Sequence, residues 1–277
     1  MDICKAASEG TTNRVRLQED RFLQMTIPLP PLAEQRRIVA RIEELAAKID
    51  EARDLRQKAA DETTAVLNAT RRAVFTSCSL ATVELQDVCS DIIDNLHSNP
   101  QYADSGVPCV RSPDVGYGTL DLEGALRTDE DEYGRRTVRG EPQPDDVVLV
   151  REGGGTGKCA LVLAGQRFSL GQRVMMLRLN REMVIPKFFL HQLLSPVIQE
   201  EQIAPLSKGS ASPHLNIAAL RRFSFRLPSL PRQQCITAEL DAVLAKVDAL
   251  KKLQVATAAE LDGLLPSILD RAFKGNL

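Results

Sequence analysis

The chain has 277 residues, of which 43% are hydrophobic and 26% charged, and a formal net charge of −2 at pH 7. This is the composition of an ordinary globular protein of one or two domains. It has no apolar run of the roughly 18 residues that would span a bilayer, and its first residues lack the apolar core of a signal peptide, so we expect a cytoplasmic protein. Six cysteines without a Cys-x-x-Cys pair and three scattered histidines favour reduced thiols and argue against a metal site.

Residues 1–26 are too short and polar to form a domain. The apolar residues Leu17, Phe22, Leu23 and Ile27 predict one short helix and a strand. We interpret the segment as the tail of a preceding domain, and the alternative is a disordered leader.

A long helix is predicted to follow a proline-rich start. Ile38, Ile42, Leu45 and Ile49 recur at alternating spacings of four and three, which makes the narrow apolar seam of a coiled coil. We expect this helix to run from residue 31 to about residue 60, with a shorter helical piece to residue 75 and a break between them.

The same stretch occurs a second time, 198 residues further along the chain. Residues 27–75 align without a gap on residues 225–273, with 14 identities in 49 positions. Gln35/Gln233 and Phe75/Phe273 are among the identical pairs. A shared helical period could arise by chance, but a shared proline-rich start with ungapped identities indicates a duplicated unit.

The second copy predicts a second helix, from about residue 231 to residue 262. Gly263 and Pro266 are expected to interrupt it before a last helical piece ending at Phe273, because proline removes a helical N–H. Its seam is formed by Ile236, Leu240, Val243, Val247 and Leu250.

Residues 80–226 are predicted to form an α+β domain. Strands are expected in the β-branched segments 107–110, 146–151, 159–163 and 174–179, with a short strand and turn at 83–89. Helices are expected at 186–194 and 197–202. Residues 82–146 hold 5 Lys and Arg against 15 Asp and Glu, whereas residues 147–226 hold 11 against 4. A nearly neutral chain can therefore present one basic face, although two ordinary solvated faces would have the same composition.

No enzyme motif is complete in the sequence. Residues 152–159 resemble a phosphate-binding loop, but Glu152 stands where the pattern needs glycine, and Cys159 stands where it needs serine or threonine. A glycine turn between two strands is the simpler interpretation. Neither a nuclease Asp/Glu-x-Lys pattern nor an adenine methyltransferase Asn/Asp-Pro-Pro-Tyr/Phe box occurs. We therefore expect a protein that is not itself an enzyme.

The repeated Leu-Pro-x-Leu-x-x-Gln-x-x-Ile start of a long helix, at residues 29–38 and 227–236, resembles the specificity subunit of type I restriction–modification systems. The resemblance covers essentially the whole chain. That family has two target-recognition domains, separated and followed by two such helices, whereas this chain has one segment of that size. The resemblance implies a half subunit with four segments: residues 1–26 as the remnant of a recognition domain, 27–79 as the first helical repeat, 80–226 as the recognition domain and 227–277 as the second repeat.

The resemblance further implies sequence-specific binding of double-stranded DNA and assembly with modification and restriction subunits. S-adenosylmethionine and ATP are expected only on those partner subunits. Lys and Arg contacts to phosphates would position the domain, while polar loop residues would contact base edges. The candidate DNA-binding residues are Arg111, Ser112, Asp114, Tyr117, Arg151, Lys158, Arg173, Ser207, Lys208, Ser210, Ser212 and His214.

One recognition domain can read only half of a bipartite site. We expect a head-to-tail homodimer with antiparallel helices, which would recognise an interrupted palindrome. Pairing with a separate recognition-domain chain would give an asymmetric site. Two other functions remain open, namely an adaptor that binds modification subunits without reading DNA, and an independent DNA-binding regulator.

Overall fold

A computed structural model of the protein describes residues 8–9, 16–26, 29–76, 81–207 and 214–277. The helices are α1 (Glu19–Leu23), α2 (Leu32–Thr76), α3 (Leu85–Val88), α4 (Glu130–Arg136), α5 (Pro186–Leu193), α6 (Pro196–Ile198), α7 (Ala204–Ser207), α8 (Ile217–Arg221) and α9 (Leu230–Phe273), with a 3₁₀ turn at Ser112–Asp114 and a π-helical turn at Gln199–Ile203. The strands are β1 (Ser8–Glu9), β2 (Arg16–Leu17), β3 (Thr82–Glu84), β4 (Cys89–Asp94), β5 (Val107–Val110), β6 (Arg127–Thr128), β7 (Val147–Val150), β8 (Cys159–Leu161), β9 (Ser169–Leu170), β10 (Val174–Leu179) and β11 (Ser224–Arg226).

The chain divides into two compact units. One unit comprises residues 1–57 and 255–277, and the other comprises residues 58–254. Both long helices pass from one unit into the other. The first unit is therefore built mainly from the start of α2 and the end of α9, and the second holds the sheets formed by β3 to β11. The four predicted segments stay a prediction.

In the first unit the two long helices run antiparallel. Arg53 Nη2 lies 2.9 Å from Asp262 Oδ1, and Arg37 Nη2 donates to the backbone oxygen of Leu277 at 3.0 Å. The partner's number rises as the arginine's number falls, so the directions are opposite. Of the first predicted seam, Ile49 is buried, while Ile38, Ile42 and Leu45 are half-buried.

Of the second predicted seam, Ile236, Leu240 and Val247 are buried, Val243 is half-buried and Leu250 is exposed. Leu250 thus departs from the predicted seam. The two long helices fit the predicted coiled coil, and the mixture of helices and strands agrees with the predicted α+β class. That the chain carries a single recognition domain stays a prediction.

Both predicted breaks in the long helices are wrong. α2 continues unbroken from Leu32 to Thr76, and α9 continues through Gly263 and Pro266 to Phe273. Pro266 is exposed, so water can bond the carbonyl group that its missing N–H leaves free. The helical pattern between residues 59 and 69 is weak, but helical residues on both sides carry the helix through it.

The central sheet of the second unit has strand order β4-β10-β7-β8, with antiparallel neighbours throughout. Both of its faces are covered by apolar side chains. Leu149 and Met175 face one core cluster, while Val148 and Met176 face another. Since neighbouring residues on a strand point to opposite faces, burial on both faces explains why β7 and β10 are continuous apolar runs.

The predicted strands at 107–110 and 174–179 are confirmed, and those at 146–151 and 159–163 are found in slightly shorter form as β7 and β8. The prediction for residues 83–89 is incomplete, because this region forms β3, the short helix α3 and the start of β4. The polar strand β4 forms an edge of the central sheet. The sequence pattern did not predict this strand, because it has few β-branched residues. The helix predicted at 197–202 is found as α6 and the π-helical turn.

The second unit packs its sheet domain against parts of both long helices. Phe75 of α2 and Ile236 and Leu240 of α9 belong to the same buried cluster as Phe188 and Phe225. Burial of such side chains stabilises by about 1.5–3 kcal/mol each. The ends of the two helices are therefore part of this domain's core.

A buried polar group lies beside this core. The ring of His191 is buried, with Nε2 2.9 Å from Asp241 Oδ1 and Nδ1 3.4 Å from Arg71 Nη2. Lys187 Nζ also contacts Asp241, at 2.7 Å. Burial lowers the pKa of His191, and the cation of Arg71 lowers it further, against the opposing effect of Asp241. Burial alone would raise the pKa of Asp241, but its bonds to Lys187 and His191 lower it overall.

Two further findings concern the described residues only. None of their helices is long and apolar enough to cross a membrane. Cys89, Cys109, Cys159 and Cys235 are free thiols, and burial raises the pKa of Cys89 to about 12.

Candidate nucleic-acid interface

A glycine-rich loop joins β7 to β8 and lies at the centre of the predicted DNA-binding residues. The loop is a tight hairpin, in which the N–H of Gly157 donates to Val150 O at 2.9 Å and the N–H of Thr156 donates to Gly153 O at 3.0 Å. Gly153 and Gly157 have φ values of +83° and +92°, a region that favours glycine. The predicted glycine turn between two strands is confirmed.

The side chain of Gln199, a residue distant in the sequence, forms a hydrogen bond to the glycine loop. Gln199 Nε2 donates to Gly157 O at 3.0 Å and to Leu193 O at 2.8 Å. A side chain on Gly157 would place Cβ 2.5 Å from Gln199 Oε1, so the glutamine amide would have to move. The positive φ of Gly157 favours glycine independently. No sequence signal links these residues, because contact between them depends on the fold.

The structure brings the described candidates together around this loop. Lys158 Nζ lies 5.9 Å from the ring centroid of Tyr117, and Tyr117 itself bridges to Cys159 of β8. A Cβ on Gly155 would lie 2.9 Å from Ser112 Oγ, and one on Gly153 would lie 3.3 Å from Arg173 Nη1. Side chains from three separate segments therefore border one surface.

Two candidates have structural roles inside the domain. Asp114 is buried, and its carboxylate accepts the backbone N–H of Arg111 at 2.7 Å. Arg151 is also buried, with Nη1 3.3 Å from Asp94 Oδ2 and Nη2 2.7 Å from Glu152 Oε1. Both side chains are thus buried and bonded within the fold, and their contact with DNA stays a prediction.

Glu152 completes a small ionic cluster that the sequence did not indicate. Besides Arg151, His214 contacts it, with Nδ1 3.0 Å from Oε1. Burial alone would raise the pKa of Glu152, but the bonds from Arg151 and the charge of His214 lower it overall. The cluster fixes the start of the glycine loop against the segment that contains His214.

The remaining candidates differ in exposure and in partners. Tyr117 and Arg173 are exposed, and Lys158, Ser112 and Arg111 are half-buried. Arg111 lies over the ring of Tyr102, 5.7 Å from its centroid. Ser207 ends α7, but its side chain is not described, and Lys208, Ser210 and Ser212 lie outside the described residues.

Lys158 and Arg173 are distinguished from most other cations of this domain. Arg135, Arg167 and Arg178 each lie within ion-pair distance of a carboxylate. Within the described part of the chain, no carboxylate lies at that distance from Lys158 or Arg173. These two cations and one exposed tyrosine thus border a glycine-rich loop, an arrangement that suits a phosphate backbone.

Arg173 also has a strained backbone. Its φ is +66°, a left-handed conformation that costs a residue other than glycine about 1–2 kcal/mol. The carbonyl of Arg173 accepts the N–H of Arg151 at 2.9 Å, which holds this conformation. The strain places the arginine side chain over the glycine loop.

Comparison with known proteins gives one consistent family. The family described as "Type I restriction modification DNA specificity domain" matches residues 135–258. The specificity subunit of the type I restriction enzyme EcoBI from Escherichia coli is 25% identical over 306 residues, covering 98% of this chain and 63% of that protein. The EcoKI specificity subunit of E. coli strain K12 is 22% identical, covering 92% and 58%. The chain thus spans about three fifths of these relatives' length.

Comparison with solved structures points to the same kind of protein. A chain from a study of complex assembly and conformational transition of the type I R-M system has a TM-score of 0.71 and 29% identity, covering 97% of this chain and 66% of that one. The HsdS subunit of Thermoanaerobacter tengcongensis has a TM-score of 0.56 and 28% identity, covering 100% and 68%. The repeated helix start, the two long helices and these relatives lead to one conclusion: residues 135–258 match the DNA specificity domain of type I restriction–modification systems, and the chain along its length is similar to the specificity subunits of such systems.

Proposed function

We propose that this chain is the non-catalytic DNA-reading subunit of a type I restriction–modification complex. It binds double-stranded DNA through the surface around the glycine loop and reads one half of a bipartite target. The observation that carries the proposal is a pair of cations, Lys158 and Arg173, beside the exposed Tyr117. Among the residues that the structure describes, neither cation has a carboxylate within ion-pair distance. In this arrangement Lys158 contacts a phosphate, while Arg173 and Tyr117 face the groove.

The proposal assigns catalysis to the partners. Modification subunits methylate adenine and restriction subunits cut DNA, while the two long helices of this chain serve as the scaffold that positions them. The phosphate-binding loop pattern at residues 152–159 is incomplete, and neither the nuclease nor the adenine methyltransferase pattern occurs in the sequence. Within the described residues, no group of three or more His, Cys, Asp or Glu side chains could hold a metal ion.

A second copy of the chain is the predicted source of the other half-site. Ile236, Leu240 and Val247 are already buried within one chain, so these residues are not available as the interface of a homodimer. The head-to-tail homodimer stays a prediction and requires another surface.

The experiment that tests the proposed function is modified-base sequencing of DNA from cells that express this chain together with a modification subunit. We expect methyladenine within a bipartite motif, and loss of that motif in a Lys158→Ala, Arg173→Ala double variant. Lys274→Ala, at an exposed helix end far along the sequence, is the matched control. No new methylation from soluble, co-purifying proteins would contradict DNA reading and favour the adaptor function.

A further inference from the structure

Two segments besides the glycine loop leave the same end of the central sheet. β10 pairs antiparallel with both β4 and β7, so its start lies beside their ends. Val174, the first residue of β10, pairs with Val150, the last residue of β7. Residues 95–99, which follow β4, and the turn at residues 171–173 before β10 therefore border the glycine loop, which follows β7.

These two segments each contribute one amide side chain, and the two amides are bonded to each other. Gln172 Nε2 donates to Asn99 Oδ1 at the protein surface. Asn99 is exposed and Gln172 is half-buried. Within the residues that the structure describes, neither side-chain amide bonds to any further group. We call Asn99 and Gln172 the amide pair, and its other donors and its Oε1 acceptor are available to a ligand.

The backbone is restrained at both members of the amide pair. Asn99 precedes the buried Pro100, and the residue before a proline is restricted to extended conformations. Gln172 lies between Gly171, whose N–H donates to a carbonyl of β5 at 2.7 Å, and Arg173, whose φ is +66°. The two amides are thus carried on backbone of defined conformation.

A buried arginine connects the two segments that carry the amide pair. Arg136 Nη2 donates to Ser98 O at 2.6 Å, and its Nη1 donates to Leu170 O at 3.3 Å. Asn95 adds a second link, because its buried Nδ2 donates to Val174 O at 2.7 Å. These bonds hold the two segments at a fixed separation, as a side-chain pair that reads a base requires.

The chemistry of a side-chain amide matches one base in particular. In the major groove adenine presents the N6 donor beside the N7 acceptor, and glutamine can bind both at once. The bond to Asn99 uses one N–H of Gln172, which leaves Oε1 to accept from N6 and the second N–H to donate to N7. Guanine presents two acceptors at the same place, so it would leave Oε1 without a donor.

We propose that the amide pair reads an adenine in the major groove. Gln172 contacts the base, and Asn99 is the positioning residue that orients the glutamine amide through Oδ1. This role rests on the proposed function and deepens it, because it names one base and the residue that selects it. The pair joins residues 73 positions apart, so the sequence carried no signal for it.

A binding selection from random-sequence DNA duplexes tests this role. The chain, purified together with a modification subunit, selects from the library, and the bound duplexes are sequenced. We expect a motif that contains a fixed A·T pair. Gln172→Ala should lose the preference for adenine at that position by about 10- to 100-fold and keep the preferences at the other positions.

A glutamine in another turn provides the matched control. Gln166 is half-buried like Gln172, and its Oε1 accepts the N–H of Leu163 at 2.8 Å. It follows the end of β8, whereas the glycine loop precedes the start of that strand. Gln166→Ala should therefore leave every position of the motif unchanged.

A base analogue tests the contact itself. At the adenine so located, 7-deazaadenine keeps the base pair but has carbon in place of N7, so the acceptor is lost. The natural chain should bind this duplex about 10-fold more weakly, a loss that is independent of how any variant folds. Gln172→Ala should bind the two duplexes equally, and an equal loss in both proteins would contradict the contact.

Two substitutions of Asn99 test the positioning role. Asn99→Ala should weaken the preference for adenine at the same position as Gln172→Ala. Asn99→Asp should retain it, because a carboxylate oxygen still accepts the N–H of Gln172. The added negative charge lowers affinity for all sequences alike, so the quantity compared is the preference for adenine over the other bases.

The possible failures are distinguishable. A motif that Gln172→Ala leaves unchanged, or a loss of preference at a base other than adenine, would overturn the role of the amide pair and leave the proposed DNA reading intact. If the natural chain enriches no motif, the proposed function and the role of the amide pair are both contradicted.

Discussion

At the scale of single residues, a cation of the central domain can contact DNA as proposed only if a carboxylate of the fold does not already bind it. Arg151 and Lys158 lie at the two ends of the same glycine loop. Arg151 is buried between Asp94 and Glu152, so its charge is used within the fold. Lys158 contacts the ring of Tyr117 instead, which leaves its ammonium group able to exchange water for a phosphate.

We expect Lys158→Ala to weaken DNA binding uniformly across sequences. Loss of one phosphate contact should reduce the slope of log K against log salt by about 1. Fluorescence anisotropy over a salt series measures this slope, with Lys274→Ala as a control that should leave it unchanged. An unaltered slope for Lys158→Ala would remove this residue from the interface.

His191 should make stability depend on pH. Burial lowers its pKa below the ordinary value of 6.5, so the folded protein holds the ring neutral. As pH falls below about 6.5, the unfolded chain takes up a proton that the folded chain does not. Stability should therefore fall with decreasing pH in this window, by up to about 1.4 kcal/mol per pH unit.

Urea denaturation at pH 7.5 and pH 5.5 checks the pH dependence. His191→Gln should lose part of the difference between the two pH values, whereas His97→Gln, at an exposed position, should keep it. An equal pH dependence in the natural chain and His191→Gln would show that this histidine is not responsible.

At the scale of elements, the environment of a long helix changes along its length. Leu240 is fully buried in the core beside Phe75, while Leu250, ten positions on in the same predicted seam, is 49% exposed. The same apolar spacing therefore includes one residue that attaches the helix to a domain core and one that lies exposed to solvent. The sequence pattern does not distinguish them.

Truncation to alanine should distinguish the buried position from the exposed one. Leu240→Ala is expected to reduce the free energy of unfolding by about 2–5 kcal/mol, because it leaves a cavity in a packed core. Leu250→Ala should change it by about 0.5 kcal/mol or less. Chemical denaturation measures both, and equal effects would contradict the assigned burial.

The proline within α9 gives a second prediction for an element. Pro266 lies inside a helix that continues to Phe273, and proline in a helix interior is about 3 kcal/mol less favourable than alanine. Pro266→Ala should therefore raise the thermal midpoint of the first unit. A lower midpoint would mean that Pro266 has a favourable contact that outweighs its helical penalty.

At the scale of the whole molecule, symmetry of the recognised DNA reports how recognition domains are combined. A homodimer predicts methylation of an interrupted palindrome. Pairing with a separate chain that carries a different recognition domain predicts two unrelated half-sites. We expect the asymmetric motif when such a domain is expressed with the chain, and light scattering should then show one copy of this chain per complex.

The sequence by itself determined the duplication, both helix starts and the strands β5 and β10, because these depend on local spacing and propensity. It also located the glycine turn from composition alone. It could not determine that Asp114 and Arg151 are buried while Lys158 and Arg173 lack acidic partners, since ion pairing joins residues far apart in the chain.

The tertiary structure alone decided that α2 and α9 are continuous. Packing and long helical flanks on both sides override the weak helical pattern within α2 and the single proline within α9. It also decided that identical residues are used differently in the two repeats. Gln35 and Gln233 occupy equivalent positions of the repeat and make the same bond to a proline carbonyl. Within the described part of the chain, the central domain buries Gln233, whereas Gln35 is half-buried. Burial depends on which part of the fold reaches each helix start, and that is not encoded in the repeat.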